Sequence, residues 1–392
     1  MTGVGASQDP AASSQDQAAT ARDEAPTVRD RAPAARDQAY MARALNLAAR
    51  GLYTTDPNPR VGCVVVRDDR VLGEGWHVRA GEAHAEILAL RAAGPDARGA
   101  TVYVTLEPCS HTGRTPPCAD ALIAAGVARV VCCTVDPNPR VAGGGIERLQ
   151  AAGISVSVGV LAAEARDLNV GFFSRFERGR PFVRLKLAMS LDARTAPASG
   201  GHAWISGEAA RADVQVWRAR SGAVLTGAGT VRADDPRLDV RLTYGWWVRQ
   251  PLRVLLDPML TCATSAKLFH GTGALVFAAS DAPVRSQDAA RVERLPRAAG
   301  GLDLRAVIRR LTELEINELL VECGPRLAGS FILSNLVDEF VLYMAPALLG
   351  ADAAPLMHVS GLGPPGSLPT FEFKDVQRIG DDLRVILAPK KA

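Results

Sequence analysis

The sequence predicts an α/β protein of two domains behind an N-terminal tail. Three observations carry that expectation. The chain has 392 residues, more than one ordinary domain holds. Short β-branched runs alternate with stretches of helical periodicity along it. A charged, turn-rich segment, Phe176-Glu177-Arg178-Gly179-Arg180-Pro181, interrupts that alternation near the middle.

Residues 1–37 are rich in Ala, Gln, Asp, Ser and Pro and almost devoid of large apolar side chains. Arg-Asp pairs recur there at seven-residue intervals, at Arg22-Asp23, Arg29-Asp30 and Arg36-Asp37. The seam positions are not apolar and Pro26 and Pro33 interrupt any helix, so a disordered tail is expected rather than a coiled coil. Order begins with a helix over Tyr40–Arg50, closed by Gly51. Val61–Val66 and Val71–Trp76 around Asp68-Asp69 read as a hairpin. Helices from His84, from Cys118 and near Gly145–Ala152 then alternate with strands at Thr101–Leu106, Arg129–Thr134 and Ile154–Val158. That order places a largely parallel sheet between helices.

The second half restarts with a strand at Phe182–Leu187 and a helix over Gly207–Arg220 before the strand Ala223–Thr226. Further strands are predicted at Leu252–Leu256, Ala274–Phe277 and Glu318–Val321, with helices at Leu304–Leu314 and Arg326–Leu333. Glu339–Met344, Phe371–Ile379 and Leu383–Leu387 read as strands closing one edge.

Composition narrows the function classes. Hydrophobic residues make up 47% and charged residues 22%, enough for each half to bury a core. A formal net charge of only +3 argues against a nucleic-acid surface. No apolar run reaches transmembrane length and no secretory signal opens the chain, so a cytoplasmic protein without a membrane partner is expected. Seven cysteines over such a length suit ligands and core thiols in a reducing compartment better than a disulfide framework.

Chemistry appears first at His84-Ala85-Glu86, and again at Pro108-Cys109 and Cys118. Zinc favours imidazole nitrogen and thiolate sulfur, and catalytic sites use three protein ligands with water at the fourth position. His84, Cys109 and Cys118 supply such a set. Glu86 lies near enough to exchange protons with that water without binding the metal. A zinc-deaminase signature joins His-x-Glu to Pro-Cys-x-x-Cys. Here eight residues, Ser110 to Pro117, separate the cysteines, so Cys109 must approach from a preceding loop stiffened by Pro116-Pro117, with Gly113 and Arg114 facing substrate. Other readings stand beside this one. The two cysteines alone could be core thiols, and His111 could complete a four-ligand structural site. Cys63, Cys132, Cys133, Cys262 and Cys323 read as packing residues.

The run Tyr103–Cys118 resembles the bifunctional deaminase/reductases of bacterial riboflavin biosynthesis. Asp56-Pro57-Asn58-Pro59-Arg60-Val61-Gly62, Gly81–Glu86, Asp136-Pro137-Asn138-Pro139 and Lys186–Asp192 match the same family. The likeness covers roughly residues 38–390. It implies a cytidine-deaminase-like α/β/α sandwich over residues 38–178, which hydrolyses a ring amine of a phosphorylated diaminopyrimidinone with zinc. It also implies a dihydrofolate-reductase-like α/β domain over residues 179–392, which reduces the ribosyl group to ribityl with NADPH.

Within the second half, Gly227-Ala228-Gly229 follows a strand, but Arg232 stands where a dinucleotide fingerprint needs its third glycine. Glu322–Ser330 runs from a strand through a glycine turn into a helix, a geometry that suits either a pyrophosphate or a plain strand cap. The resemblance implies that Ala188, Trp204, Thr230, Asp234 and the run Gly324, Pro325, Arg326, Leu327, Ala328, Gly329, Ser330 line the NADPH site. It implies that His202, Arg218, Leu238, Arg241 and Glu322 line the substrate site. Arg218 and Arg241 suit a 5′-phosphate because guanidinium pairs with phosphate in a bidentate fork; Glu322 suits ribosyl hydroxyls or a backbone cap. Ala193, His202-Ala203 and Pro258 depart from the family's usual residues, and no cofactor hydrogen bond is assigned to Pro258. A homo-oligomer is expected. Two other functions are weighed: a monofunctional cytidine- or guanine-type deaminase with a nucleotide-binding second domain, and a zinc-stabilised nucleic-acid module.

Overall fold

The structure, a computed structural model, describes residues 28–111, 116–198, 205–242, 248–271, 273–283, 291–298, 301–364 and 368–390. Residues 37–392 form one compact unit.

Its first sheet contains β1 (Gly62–Arg67), β2 (Arg70–Trp76), β3 (Thr101–Val104), β4 (Arg129–Cys132) and β5 (Ser155–Val158) in the order β2-β1-β3-β4-β5. β1 is antiparallel to both neighbours, whereas β3, β4 and β5 are parallel, as hairpin-then-crossover order requires. One face is covered by α2 (Ala85–Ala93), α3 (Cys118–Ala125) and α4 (Gly144–Ala151), which share a core of Cys63, Val65, Val102, Val130 and Leu122. The other packs Met41, Ala44 and Leu47 of α1 (Val28–Ala49) against Val64, Val66 and Tyr103.

The expected tail boundary is corrected here: α1 begins at Val28, not after residue 37. Pro33 removes only one backbone donor early in the helix, and Ala34, Ala35, Arg36, Gln38 and Ala39 are strong helix formers. Asp37 fixes the chain there. Its carboxylate accepts from Tyr103 Oη at 2.8 Å and from Arg129 Nη1 and Nη2 at 3.0 and 2.7 Å. The rest of the expected tail, residues 1–27, lies outside the described residues.

Two helices missed in the sequence, α5 (Ala162–Leu168) and α6 (Val170–Arg178), lead out of the first sheet. Phe176–Arg178 belong to α6, and the turn expected at Phe176–Pro181 is confined to Gly179–Pro181.

The second sheet has nine strands in the order β11-β10-β9-β8-β14-β6-β15-β18-β17. In chain order its region runs β6 (Phe182–Met189), β7 (Arg194–Ala196), α7 (Glu208–Arg220), β8 (Ala223–Gly227), α8 (Ala228–Asp234), β9 (Leu252–Leu256) and β10 (Leu275–Ala279). It continues with β11 (Arg291–Leu295), β12 (Arg297–Ala298), β13 (Gly301–Leu302), α9 (Leu304–Glu313) and β14 (Glu318–Glu322). The last elements are α10 (Pro325–Leu333), β15 (Glu339–Met344), β16 (Ala354–Pro355), β17 (Phe371–Ile379) and β18 (Asp382–Pro389). The strands from β11 to β15 are parallel, and antiparallel β18 and β17 close the edge. β8 and β10 read as nearly apolar runs, as buried strands do, whereas β6, β9 and β14 set Arg184, Lys186, Arg253, Glu318 and Glu322 among their apolar residues.

Candidate active sites

His84 caps the N-terminus of α2, Cys118 is the first residue of α3, and Cys109 sits in the loop that follows β3. Chain topology brings these ends together. His84 Nδ1 lies 3.2 Å from Cys118 Sγ and 3.6 Å from Cys109 Sγ, and the three ligand atoms all fall within 4.8 Å of one another. Donors around a tetrahedral zinc stand roughly 3.5–3.8 Å apart, so this imidazole and two sulfurs fit that ion. Both cysteines are free thiols, and His111 is exposed and outside the cluster. Cys63, Cys132, Cys133 and Cys262 are buried in the cores.

Of the two cysteines, Cys109 is the one held ready as a thiolate. Hydrogen bonding from Cys118 and from His84 draws the Cys109 thiol down to about 4, and the Cys118 backbone N–H adds a bond to Cys109 Sγ at 3.3 Å. Cys118, buried and sharing its proton with that sulfur, moves upward. A divalent cation between the two is the partner that lets both be thiolates. Glu86, the second residue of α2 and 3% exposed, has its carboxyl pushed up to about 7, chiefly by burial. That value suits a group that takes and returns protons near neutrality.

Three supporting residues escaped the sequence reading. Glu107, two residues before Cys109, accepts from the backbone N–H groups of Asp136, Gly143, Gly145 and Ile146 at 2.9–3.3 Å, tying the cysteine loop to the start of α4. His77 stands edge-on to His84, with ring centroids 5.4 Å apart. Its Nδ1 donates to Ala83 O at 3.2 Å, while Asn58 Nδ2 donates to its Nε2 at 3.0 Å. Only the position of Asn58 and Glu107 inside recognisable motifs hinted at a role. Gly113 and Arg114, expected to face substrate, lie outside the described residues.

The second site is a cleft of about 1300 Å³ at the C-terminal ends of β6, β8 and β14, where parallel sheets open for ligands. Ala188, Thr230, Asp234, Leu238, Arg241, Glu322, Gly324, Pro325, Arg326, Leu327 and Ser330 all line it, as does Arg218. His202 and Trp204 lie outside the described residues. Two expected lining residues face elsewhere: Ala328 is fully buried in the core, and Gly329 is pressed against the backbone of His358, whose carbonyl oxygen a Cβ would meet at 1.8 Å. Helical geometry explains the difference, since residues 328 and 329 turn away from a surface lined by 324–327 and 330.

Arg218 is engaged within the protein. Its Nε and Nη2 donate to the two Glu322 carboxylate oxygens at 2.6 and 3.0 Å, and Nη1 to Asp239 O at 3.2 Å. Burial opposes the Glu322 charge, but Arg218 outweighs it and holds the carboxyl below its ordinary value. Lys186, unassigned from sequence, reaches Glu322 at 4.0 Å, and burial lowers its proton affinity. Gly324 N–H donates to Thr230 Oγ1 at 3.1 Å, joining the two glycine turns. Pro258 also lines the cleft. Ala193 takes a left-handed backbone with φ of 56°, which accounts for the glycine usual there.

Residues 181–385 match the model for the RibD C-terminal domain, and residues 34–134 match that for the cytidine and deoxycytidylate deaminase zinc-binding region. The chain is 49% identical to riboflavin biosynthesis protein RibD of Escherichia coli K12 over 351 residues, covering 87% of this chain and 96% of that protein. It is 45% identical to RibD of Haemophilus influenzae, over 88% and 96% of the two chains. Among solved structures, RibD of Acinetobacter baumannii superposes with a TM-score of 0.85 at 44% identity, covering 91% of this chain and 100% of that one. A Thermotoga maritima deaminase/reductase superposes with a TM-score of 0.81 at 34% identity over the same shares.

Proposed function

The chain belongs to the RibD family of bifunctional riboflavin-biosynthesis deaminase/reductases, and we propose which of its residues carry each reaction. It is a zinc-dependent deaminase and an NADPH-dependent reductase acting in sequence on a phosphorylated ribosylaminopyrimidine. The match to a RibD C-terminal domain disfavours a monofunctional deaminase. The deaminase domain is assigned to residues 38–178 and the reductase domain to residues 179–392.

In the first reaction His84, Cys109 and Cys118 hold zinc, which supplies a Lewis acid. Glu86 takes a proton from the attacking water and returns it to the exocyclic amino nitrogen, which departs from the ring carbon as ammonia while the water oxygen stays there. Its burial beside the three donors is the observation that carries this assignment. Glu107 and His77 orient the loops that present Cys109 and His84.

In the second reaction NADPH supplies hydride. Arg326 and Leu327 offer first-turn backbone N–H groups of α10 to its pyrophosphate; Pro325 has none and that of Gly324 is taken by Thr230. Ala188, Asp234 and Ser330 flank it, and Trp204 is placed there by family likeness. Arg218 holds Glu322 as a fixed acceptor for ribosyl hydroxyls, while Lys186 Nζ delivers the proton that accompanies hydride addition. Arg241, one of several arginines that line the cleft, has half its side chain exposed and pairs with Asp239 at 2.9 Å; it is assigned the 5′-phosphate. Leu238 lines the substrate wall, and His202 is placed there by family likeness. A homo-oligomer in the cytoplasm is proposed. Among the described residues no helix is long and apolar enough to cross a membrane.

The test combines zinc analysis with product identification on the diaminopyrimidinone nucleotide. One zinc per chain, ammonia release, and NADPH oxidation that waits on the deaminated intermediate are expected. NADPH oxidation without deamination, or deamination of cytidine in its place, overturns the assignment.

A further inference from the structure

The segment Asp56–Arg60 lies in the connection from α1 to β1, and of its residues only Asn58 reaches the metal site's surroundings. It is gripped at both ends by residues of the reductase region. At the near end Asn317 Nδ2 donates to Asp56 Oδ1 at 3.0 Å and to Pro57 O at 2.8 Å. Arg249 adds an ion pair to Asp56 Oδ2 at 3.3 Å. At the far end Arg60 Nη1 donates to Glu318 Oε1 and to Leu168 O, each at 2.7 Å. Asn169 fixes the Arg60 backbone on both sides, accepting from N at 2.8 Å and donating to O at 3.0 Å. α6 presses on the same pair of residues: a Cβ at Gly171 would meet Glu318 Cγ at 2.4 Å and Asn317 O at 2.7 Å.

Between those two grips sits Asn58. Its amide reaches His77, and His77 reaches the carbonyl of the residue before His84. A continuous line of contacts therefore runs from the start of β14 to the imidazole of the metal site. We propose that Asn317 and Glu318 are positioning residues for deamination: the start of β14 holds the Asp56–Arg60 segment in the one register that lets Asn58 and His77 set the orientation of His84. This rests on the assignment of His84, Cys109 and Cys118 to zinc.

Two features favour orientation over simple adhesion. Glu318 is fully buried and shared by three guanidinium groups, those of Arg60, Arg184 and Arg220. Buried ion clusters are at best neutral for stability compared with apolar packing, and their best-attested use is to fix register. The Asn317 amide is used only as a donor. Its oxygen is buried without a hydrogen-bond partner among the described residues, while its nitrogen serves two acceptors on the Asp56–Pro57 turn. A side chain kept with one end unsatisfied is held for what the other end does.

The test is Asn317→Ala in the full-length holoenzyme, with deamination, reduction of supplied deaminated substrate, and zinc loss to a chelator all measured well below the melting temperature. Deamination kcat/KM is expected to fall about tenfold or more and zinc to leave about tenfold faster, in the range typical of supports behind a metal ligand. Reduction should stay within about twofold. In combination with Asn58→Ala the losses should not multiply, because both changes break one line of contacts. If Asn317→Ala folds poorly, Arg249→Leu, a half-buried site at the edge of the same turn, reads the same quantities. Proportional loss of both activities, unchanged zinc retention, or multiplied losses in the double variant overturns the proposal. Absence of zinc from the wild-type enzyme instead overturns the metal assignment beneath it.

Discussion

The two sites differ in how they are built. The deaminase site gathers three donor atoms within 4.8 Å from the ends of two helices and one loop. The reductase cleft spreads over about 1300 Å³ and draws on β6, β8, β14, α7, α8 and α10. A metal centre is specified by donor chemistry, which few residue types supply, so removing one atom abolishes it. A dinucleotide cleft is specified largely by backbone shape, so single side chains should matter less, except where one leaves a buried charge alone.

Substitutions can break this contrast. The largest effect is expected for His84→Ala, with zinc lost and deamination abolished, read by metal analysis, while reduction of supplied intermediate persists. If both activities vanish, the sites are less separable than their architecture indicates. Glu86→Gln should lower deamination kcat about 10²- to 10⁴-fold with zinc still bound; metal loss would make Glu86 a ligand instead. In the cleft, Arg218→Leu leaves the largely buried Glu322 with only the longer pairing to Lys186 at 4.0 Å, and a stability loss of about 3 kcal/mol in denaturant melts is expected with impaired reduction. Wild-type stability would show that solvent reaches the carboxylate.

Acid sharpens the comparison at the junction between the regions. Burial opposes the charge of Glu318, but Arg220, Arg60 and Arg184 outweigh it and hold its carboxyl far below its ordinary value of 4.5. A depressed carboxyl stabilises fully above its unfolded value and loses that contribution as pH falls through the folded one. Stability should therefore drop as pH falls below about 4.5, and Glu318→Gln should flatten that slope in urea titrations. The smallest effect is expected at Ala193, where glycine relieves the left-handed backbone and should raise stability by about 1 kcal/mol in thermal melts.

Legibility followed the same divide. His84, Glu86, Cys109 and Cys118 could be read because ligation demands those residue types, and the long cysteine spacing marked the family. The alternating strands and helices were legible from periodicity, but α5 and α6 were not, since they run only seven and nine residues and break at Asn169. Pairings distant in sequence left no local trace. Arg218 was expected to meet a phosphate, yet its partner is Glu322, 104 positions away. His77 and Asn58 form their link only once the hairpin and the Asp56–Arg60 turn are in place. Ala328 and Gly329 were assigned with their motif as a block, although a helix can show a ligand only one side.

β14 has a consequence for how the protein can change. Glu318 and Glu322 lie at its two ends, about 13 Å apart and on one side of the pleat, and α7 answers them with Arg220 and Arg218. A slip of one residue in that strand would turn both carboxylates away together. Evolution or engineering can therefore reshape the loops of either catalyst freely, but five residues in the middle of the larger sheet must be inherited as a block by both.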